Sequence, residues 1–357
     1  MSIIFIFSNA SGYGGSERSI ELLSKYISAD NELFVFCENE IHYKNLILSS
    51  SNFNIILLKD DKKFFFLIIN LMKLLKLIFL KRPDLIIANT NKAAFYLGLL
   101  NMLLRFYLKQ TKKIFFVRDF GWKFKWIIKK FLFDAKLCIP SKAVSEYASY
   151  FNSNFIVIPD PIDLVSKRDT LRGAQDKKIE IICVAMISRW KGIEYLIKAC
   201  ALIESKNYIV KIIGNSTDLE YLNDLKSLVH SLDLTNNIEF ISYTNDINQY
   251  FEKADIVVVT SISDFGGPET FGRTIIEAWN FSKPVVAFDC GGPSFIIEHN
   301  ISGLLVAEKD IRGLSEAITL LIADGELRLH LGLRGREVAE RKYQVDIVAK
   351  EICKLLK

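Results

Sequence analysis

Thirteen short runs rich in Ile, Val, Leu and Phe recur along the whole sequence, each followed by a longer stretch of helical character. Continuous apolar runs of this kind belong to strands buried on both faces, and their alternation with helices predicts parallel sheets covered on both sides. In the first half they are Ile3–Ser8, Leu33–Cys37, Ile55–Leu58, Leu85–Asn89, Ile114–Val117, Leu137–Pro140 and Phe155–Pro159. The second half offers Ile179–Met186, Ile209–Gly214, Ile238–Ile241, Ile256–Thr260, Val285–Phe288 and Leu304–Val306. Helices are expected between them, Ser16–Ser28 and Lys92–Leu108 among others. With 357 residues the chain exceeds one ordinary core. The expected fold is α/β, with two doubly wound, Rossmann-like domains facing a central cleft, towards which both sets of strand C-termini would point. The polar segment "DPIDLVSKRDTLRGAQDKK", Asp160–Lys178, is the expected hinge, so the first domain covers 1–165 and the second begins at 166.

A hydrophobic fraction of 50% excludes a disordered chain. The six cysteines are scattered, with no CxxC pair and no histidine at zinc spacing, and read as buried thiols of a reducing cytosol. The N-terminus has no basic segment ahead of an apolar one and no small-residue cleavage site, so secretion is not expected.

The net charge of +5 is unevenly spread. Residues 59–142 hold 19 Lys and Arg against 5 Asp and Glu, interleaved with aromatics as in "KKFFFLIINLMKLLKLIFLKR" and "FGWKFKWIIKKFLF". Phe64–Leu80 is too short for a membrane span and is broken by Asn70, Lys73 and Lys76. Two readings stay open: a solvated basic helix face, or a basic, aromatic surface that lies on anionic lipid. No nucleic-acid-binding module accompanies the charge, so nucleic acid is not an expected partner.

Three segments could carry chemistry. In "SNASGYGGSERSIELLSKY", Gly14 and Gly15 lead from a strand into a helix whose N-terminus could face an anion, although a glycine turn before a capped helix is commonly just a turn. In "VAMISRWKGIEYLIKAC", Arg189 and Lys191 stand between a strand and a helix, where two cations suit a diphosphate or are merely solvated. The third is "GGPETFGRTIIEAWNFSKPVVAFDCGG". Its helix is expected from Thr270 or Phe271, with Glu269 just ahead and Glu277 two turns inside. A carboxylate held there can accept hydrogen bonds from a pair of sugar hydroxyls, while the helix N-terminus attracts phosphate. Helix-dipole compensation by Glu269 and a solvated Glu277 is the plainer alternative.

Taken together these segments resemble the retaining glycosyltransferases of family 4, which have the GT-B fold. The resemblance rests on the E-x7-E pair in "PETFGRTIIEA", on "KPVVAFDCGG" and "SGLLV", and on "GGSER", "PSKAVSEYASYF", "VIPDPID", "WKGIEYLIKA", "KIIGNS" and "ADIVVVTS" in the family's order. It implies that Glu269 contacts the donor sugar and Glu277 the ribose of a nucleotide sugar. The backbone of Phe271, Gly272 and Arg273 would approach sugar and diphosphate, Lys191 would bind the diphosphate beside Gly15, and Gly214 and Asn215 would line the nucleotide pocket. A last segment, 343–357, would return to the first domain, leaving 166–342 as the nucleotide-sugar domain. The implied reaction moves a sugar from a UDP- or GDP-sugar to a glycan or lipid-linked acceptor with retention of configuration. It needs no metal and no cofactor, in keeping with the lack of an Asp-x-Asp motif.

The chain departs from the family pattern in three places. Ala185-Met186 stands where many members have Gly-Arg, which leaves Arg189 to supply the missing charge. No histidine matches the one common in the first domain, leaving Arg118 and Asp119 of "FVRDFGW" as the polar candidates. Phe295 replaces a glutamate. The expected protein is a cytoplasmic transferase, peripheral on the inner face of the membrane, that serves surface polysaccharide synthesis. A GT-B phosphorylase or sugar-nucleotide epimerase and a non-catalytic nucleotide-sugar binder are the alternatives.

Overall fold

The computed structural model describes residues 1–10, 13–49, 52–59, 64–120, 124–132, 134–166, 178–216, 218–244 and 246–355. Most of the expected hinge, together with 11–12 of the first glycine loop and 121–123 of the basic aromatic stretch, lies outside the described residues. The chain divides into two compact units: Met1–Asp163 with Tyr343–Lys357, and Leu164–Lys342.

The first unit contains β1 (Ile3–Ser8), β2 (Glu32–Cys37), β3 (Asn54–Leu57), β4 (Leu85–Ala88), β5 (Lys112–Phe116), β6 (Lys136–Ile139) and β7 (Phe155–Val157), in the sheet order β3-β2-β1-β4-β5-β6-β7. Every pairing is parallel. Alternation along the strands sends Phe5, Phe7, Phe34, Phe36 and Phe115 to one face and Ile4, Ile6, Leu33, Val35 and Phe116 to the other. The register pairs Phe5 with Phe34 and Phe7 with Phe36, so their rings meet at 5.1 Å, tilted or edge-on, the arrangement aromatic quadrupoles favour. Phe64–Lys81, Asn91–Leu104 and Lys125–Phe131 cover the aromatic face, and Gly15–Ile27, Glu40–Ser49 and Val345–Lys354 the aliphatic one. The C-terminal helix is tied in by Ile162 N–H to Tyr343 O (2.7 Å) and Val345 N–H to Ile162 O (2.9 Å).

The three helices on the aromatic face turn a second set of apolar groups outward, Phe65, Met72, Phe79, Leu80, Met102, Leu103 and Trp126, together with Lys73, Lys76, Lys129 and Lys130, and Phe106 is exposed in the turn after Asn91–Leu104. Among the described residues, no helix is long and apolar enough to cross a membrane.

The second unit contains β8 (Ile179–Val184), β9 (Tyr208–Ile213), β10 (Ile238–Ile241), β11 (Ile256–Val259), β12 (Val285–Phe288) and β13 (Leu304–Val306), all parallel, in the order β10-β9-β8-β11-β12-β13. Both sheets reverse direction of winding beside their first strand, at β1/β4 and β8/β11, the position where open α/β sheets leave a crevice at the strand C-termini. Ile193–Ala201, Leu219–Ser231 and Ile311–Ala323 pack on one face, and Arg273–Asn280 with Gly325–Lys342 on the other. Trp279 is fully buried on this second face, donates from Nε1 to Ser302 O (3.0 Å), and packs so closely on Gly335 that a Cβ there would lie 2.1 Å from its ring.

All six cysteines are free and five are buried. Burial pushes the Cys37, Cys138, Cys183, Cys200 and Cys290 thiols up to about 12. At pH 8 the folded protein therefore exposes at most the Cys353 thiol to an alkylating reagent, whereas all six react in denaturant, as mass spectrometry would show. Trp279→Ala should cost about 3–5 kcal/mol in a urea melt, because the ring's volume and its hydrogen bond are both lost.

Candidate active site

In the second unit the loops after β8, β11 and the start of the helix Arg273–Asn280 enclose a pocket of about 210 Å³, open solvent included, lined by Ala185, Lys191, Thr260, Ser261, Glu269 and Thr274 among others. The Lys191 ammonium is joined to Glu269 Oε1, with the two side chains only 14% and 18% exposed. Ser261 Oγ donates to the same carboxylate oxygen (3.0 Å), and the Trp190 ring lies 3.8 Å from the ammonium. Backbone contacts hold this arrangement from both sides. Thr260 Oγ1 donates to Lys191 O (2.9 Å), Ile262 N–H to Trp190 O (2.8 Å), and Gly292 N–H to Glu269 O (2.7 Å).

The helix starts later than the sequence predicts. Gly272 takes a φ of +99°, a left-handed conformation that interrupts helical geometry, so the first helical residue is Arg273 and not Thr270 or Phe271. Glu269 thus stands on a loop four residues ahead of the helix, and Glu277 lies one turn inside rather than two. Phe271 is a buried anchor for that loop. Thr274 Oγ1 donates to Val184 O (3.2 Å), which pins the helix start to the end of β8. Arg273 Nε reaches Glu277 Oε1 at 2.9 Å across one helical turn, and both side chains are largely buried.

Arg189 points elsewhere. Its Nε lies 3.5 Å from Asp218 Oδ2, its Nη2 3.6 Å from Asp224 Oδ2, and its guanidinium stacks over Tyr221. It does not line the pocket with Lys191 and Glu269. At 40% exposure these pairs are weak enough to exchange for another anion. Gly214 N–H donates to Ile241 O (2.9 Å), and its backbone lies against Ala185 O with no room for a side chain. Asn215 accepts from Ile187 N–H on its carbonyl (2.9 Å) and from Tyr243 N–H on Oδ1 (3.1 Å). Both residues thus sit at the C-terminal edge, where β9 meets the loops of its neighbours.

In the first unit the glycine loop is already partnered. Gly15 opens the helix, and Gly14 N–H donates to the buried Glu17 carboxylate (2.9 Å), which burial raises above the usual carboxylate range. That N–H is not open to an anion, contrary to the simplest reading of the motif. Arg118 is buried, paired with Asp160 and stacked on Phe116, while Ser19 Oγ donates to Asp160 (2.9 Å). Asp119 accepts from Asn91 N–H (3.4 Å), and desolvation raises its carboxyl despite that bond and the nearby Arg118 charge.

Sequence reasoning missed Ser261, Thr274 and Trp190. The hydroxyl directly after the strand in "VVVTS" was the available signal for Ser261; the other two depend on contacts between distant segments.

A cation and a carboxylate thus meet at the switch point of a doubly wound unit. Residues 168–338 match the family described as glycosyl transferases group 1. The whole chain superposes on the structure of Anabaena HepE in complex with UDP and glucose, with a TM-score of 0.84, 21% identity, and coverage of 100% of this chain and 99% of that one. That likeness shows the GT-B fold. Over 202 residues (56% of this chain, 54% of the relative) it is 30% identical to a Haemophilus influenzae protein described as an uncharacterized glycosyltransferase. It is also 29% identical over 192 residues (52% of this chain, 46% of the relative) to the amylovoran biosynthesis glycosyltransferase AmsK of Erwinia amylovora. The chain therefore spans about half the length of the curated relatives it matches.

Removing one member of the Lys191–Glu269 pair leaves the other half-stranded. Lys191→Met should cost about 1–3 kcal/mol in chemical denaturation, and Lys191→Met combined with Glu269→Gln should cost less than the single change.

Proposed function

We propose that the protein is a retaining glycosyltransferase that moves a sugar from a UDP- or GDP-sugar to a glycan or lipid-linked acceptor in bacterial surface polysaccharide synthesis (lipopolysaccharide, capsule or O-antigen). The observation that carries this reading is the contact between Lys191 and Glu269 in the second unit's pocket, within the span that matches group 1 glycosyl transferases. A bound donor would exchange that contact for two: the ammonium to the diphosphate, the carboxylate to sugar hydroxyls. Glu277, oriented by Arg273, would take the ribose hydroxyls, and the backbone of Phe271, Gly272 and Arg273 would lie along the sugar and diphosphate. Gly214 and Asn215 would border the nucleotide. Arg189 would add charge only by leaving Asp218 and Asp224.

In the reaction the acceptor hydroxyl oxygen bonds to the anomeric carbon on the face from which the diphosphate departs. The anomeric C–O bond to the diphosphate breaks, and the hydroxyl proton passes to the departing diphosphate oxygen. The protein supplies fixed charge and excludes water, with Lys191 as the residue nearest the developing charge. Arg118 and Asp119 belong to the acceptor side of this reading, and the raised carboxyl of Asp119 suits contact with an acceptor hydroxyl. The outward apolar groups and lysines of the first unit support docking on the anionic inner face of the cytoplasmic membrane, which fits a lipid-linked acceptor.

Among UDP, GDP and ADP, one nucleotide should raise the melting temperature, and its sugar derivatives should release nucleoside diphosphate when an acceptor is added. Lys191→Met should lower kcat by roughly 10²–10³, the effect of removing one preorganised charge-stabilising group. Nucleotide binding with no turnover of any donor would instead favour a non-catalytic binder. Sedimentation with phosphatidylglycerol vesicles should carry the protein down at low salt and release it at high salt, and no binding at low salt would rule out docking on an anionic membrane.

A further inference from the structure

The loop between β11 and the helix Arg273–Asn280 makes a narrow excursion with Phe265 at its tip. Ser261 and Glu269, four residues to either side of Phe265, are bonded to each other at the base. Gly267 N–H donates to Asp264 O (3.0 Å) and closes a tight turn, with φ of +54° at Phe265 and +98° at Gly266. Turns with both central residues at positive φ take Asn, Asp or Gly in the first of those places. A phenylalanine there is strained, because its Cβ crowds the backbone. The side chain does not offset the strain by packing: it is 66% exposed and, among the described residues, meets no other aromatic ring.

Two charged residues following β13 hold the turn in place. Glu308 Oε1 accepts from both Ser263 N–H and Ser263 Oγ, each at 2.8 Å, and Lys309 Nζ pairs with Asp264 Oδ2 at 2.7 Å. Burial opposes the Glu308 charge, but the bonds from Ser263 outweigh it and keep its carboxyl below the usual range. Lys309 itself has a φ of +66°. Two residues with side chains thus sit at positive φ to fix one exposed phenyl ring. Strain held in place by surrounding contacts concentrates where a ligand is bound.

We propose that Phe265 is a sugar-stacking platform, presented by the Glu308–Lys309 clasp, and that its occupant is the C–H face of a pyranose ring. An aromatic face is electronegative, and ring C–H groups beside electronegative oxygens carry partial positive charge, so the two attract. The Glu269 carboxylate and the Ser261 hydroxyl at the base of the excursion suit the hydroxyls at the ring's edge. Phosphate is excluded as occupant of the platform, because the ring face repels it and Asp264 and Glu308 flank the turn. The sugar is either that of the donor or that of the acceptor. The assignment rests on the transferase reading for its setting, but saccharide binding can be measured without turnover.

The test uses the full chain with Phe265→Trp, Phe265→Gly, Phe265→Tyr and Glu308→Ala. Tryptophan emission of Phe265→Trp, read as a difference from the unaltered protein, should shift with a saccharide. A response to UDP-glucose or another nucleotide sugar but not to the bare nucleotide assigns the donor sugar; a response to free methyl glycosides assigns the acceptor. No response to either, or the same response to bare nucleotide, overturns the proposal. Phe265→Gly should keep or raise the melting temperature, since glycine relieves the strained φ, and a marked fall would make Phe265 a packing residue and overturn it. With a donor that turns over, Phe265→Gly should lower kcat/KM roughly tenfold, the size of one aromatic contact, while Phe265→Tyr restores it. Glu308→Ala should reproduce the glycine variant's loss with Phe265 still present, and unchanged kcat/KM in both would overturn the assignment. If glycosides shift the emission but no nucleotide stabilises the protein, the transferase reading fails and the platform stands.

Discussion

Parallel pairing throughout both sheets leaves one place in each unit for chemistry. Strands covered on both faces have no free surface, so side chains that meet a ligand must come from the loops at the strand ends. In the second unit those loops supply Lys191 after β8, Asn215 after β9, Glu269 after β11, Gly292 after β12 and Glu308 after β13. The reversal at β8/β11 brings together the loops that carry Lys191 and Glu269, and the two side chains meet across the switch point. The same constraint collects Asn91, Arg118 and Asp119 at the ends of β4 and β5 in the first unit.

Charge around the second unit's site is balanced by ion pairs within the protein. Lys191 and Glu269 neutralise each other, as do Arg273 and Glu277, so both carboxylates of the E-x7-E pair are held by a cation. An exchange of partners keeps the cost of desolvation low, because each group passes from one hydrogen-bonded contact to another instead of losing one outright. Arg189 follows the same rule at the edge, with two weak, exposed pairs to Asp218 and Asp224. Arg189, the expected stand-in for the arginine that the resembled family carries at position 186, thus has its own partners and is not among the pocket's lining residues.

The two units divide their apolar residues differently. The second unit buries Trp279 and Phe271 and exposes a few aromatics singly, Phe265 and Phe295 among them. The first unit stacks five phenylalanines inside one sheet face and still turns a second set outward beside lysines. Phe106, at 92% exposure, has no share in any core. Such side chains raise the apolar surface without stabilising the fold.

Much of this was written in the residue order. Short apolar runs alternating with helices pointed to parallel sheets, because strands buried on both faces need helices on both sides. The pair Glu269 and Glu277, the cation at Lys191 and the basic aromatic stretch were legible for the same reason: residue type and spacing are local. What the sequence left open depended on backbone conformation and on distant partners. Gly272 delays the helix to Arg273 because its positive φ is a property of the folded loop. Glu17 closes off Gly14, Asp218 and Asp224 claim Arg189, and Ser261 joins Glu269, each through contacts that spacing does not encode. The strained turn at Phe265 is the clearest case: "SDFGGPE" reads as a glycine-rich loop, while the positive φ at Phe265 and the grip of Glu308 and Lys309, more than forty positions along the chain, belong to the tertiary structure.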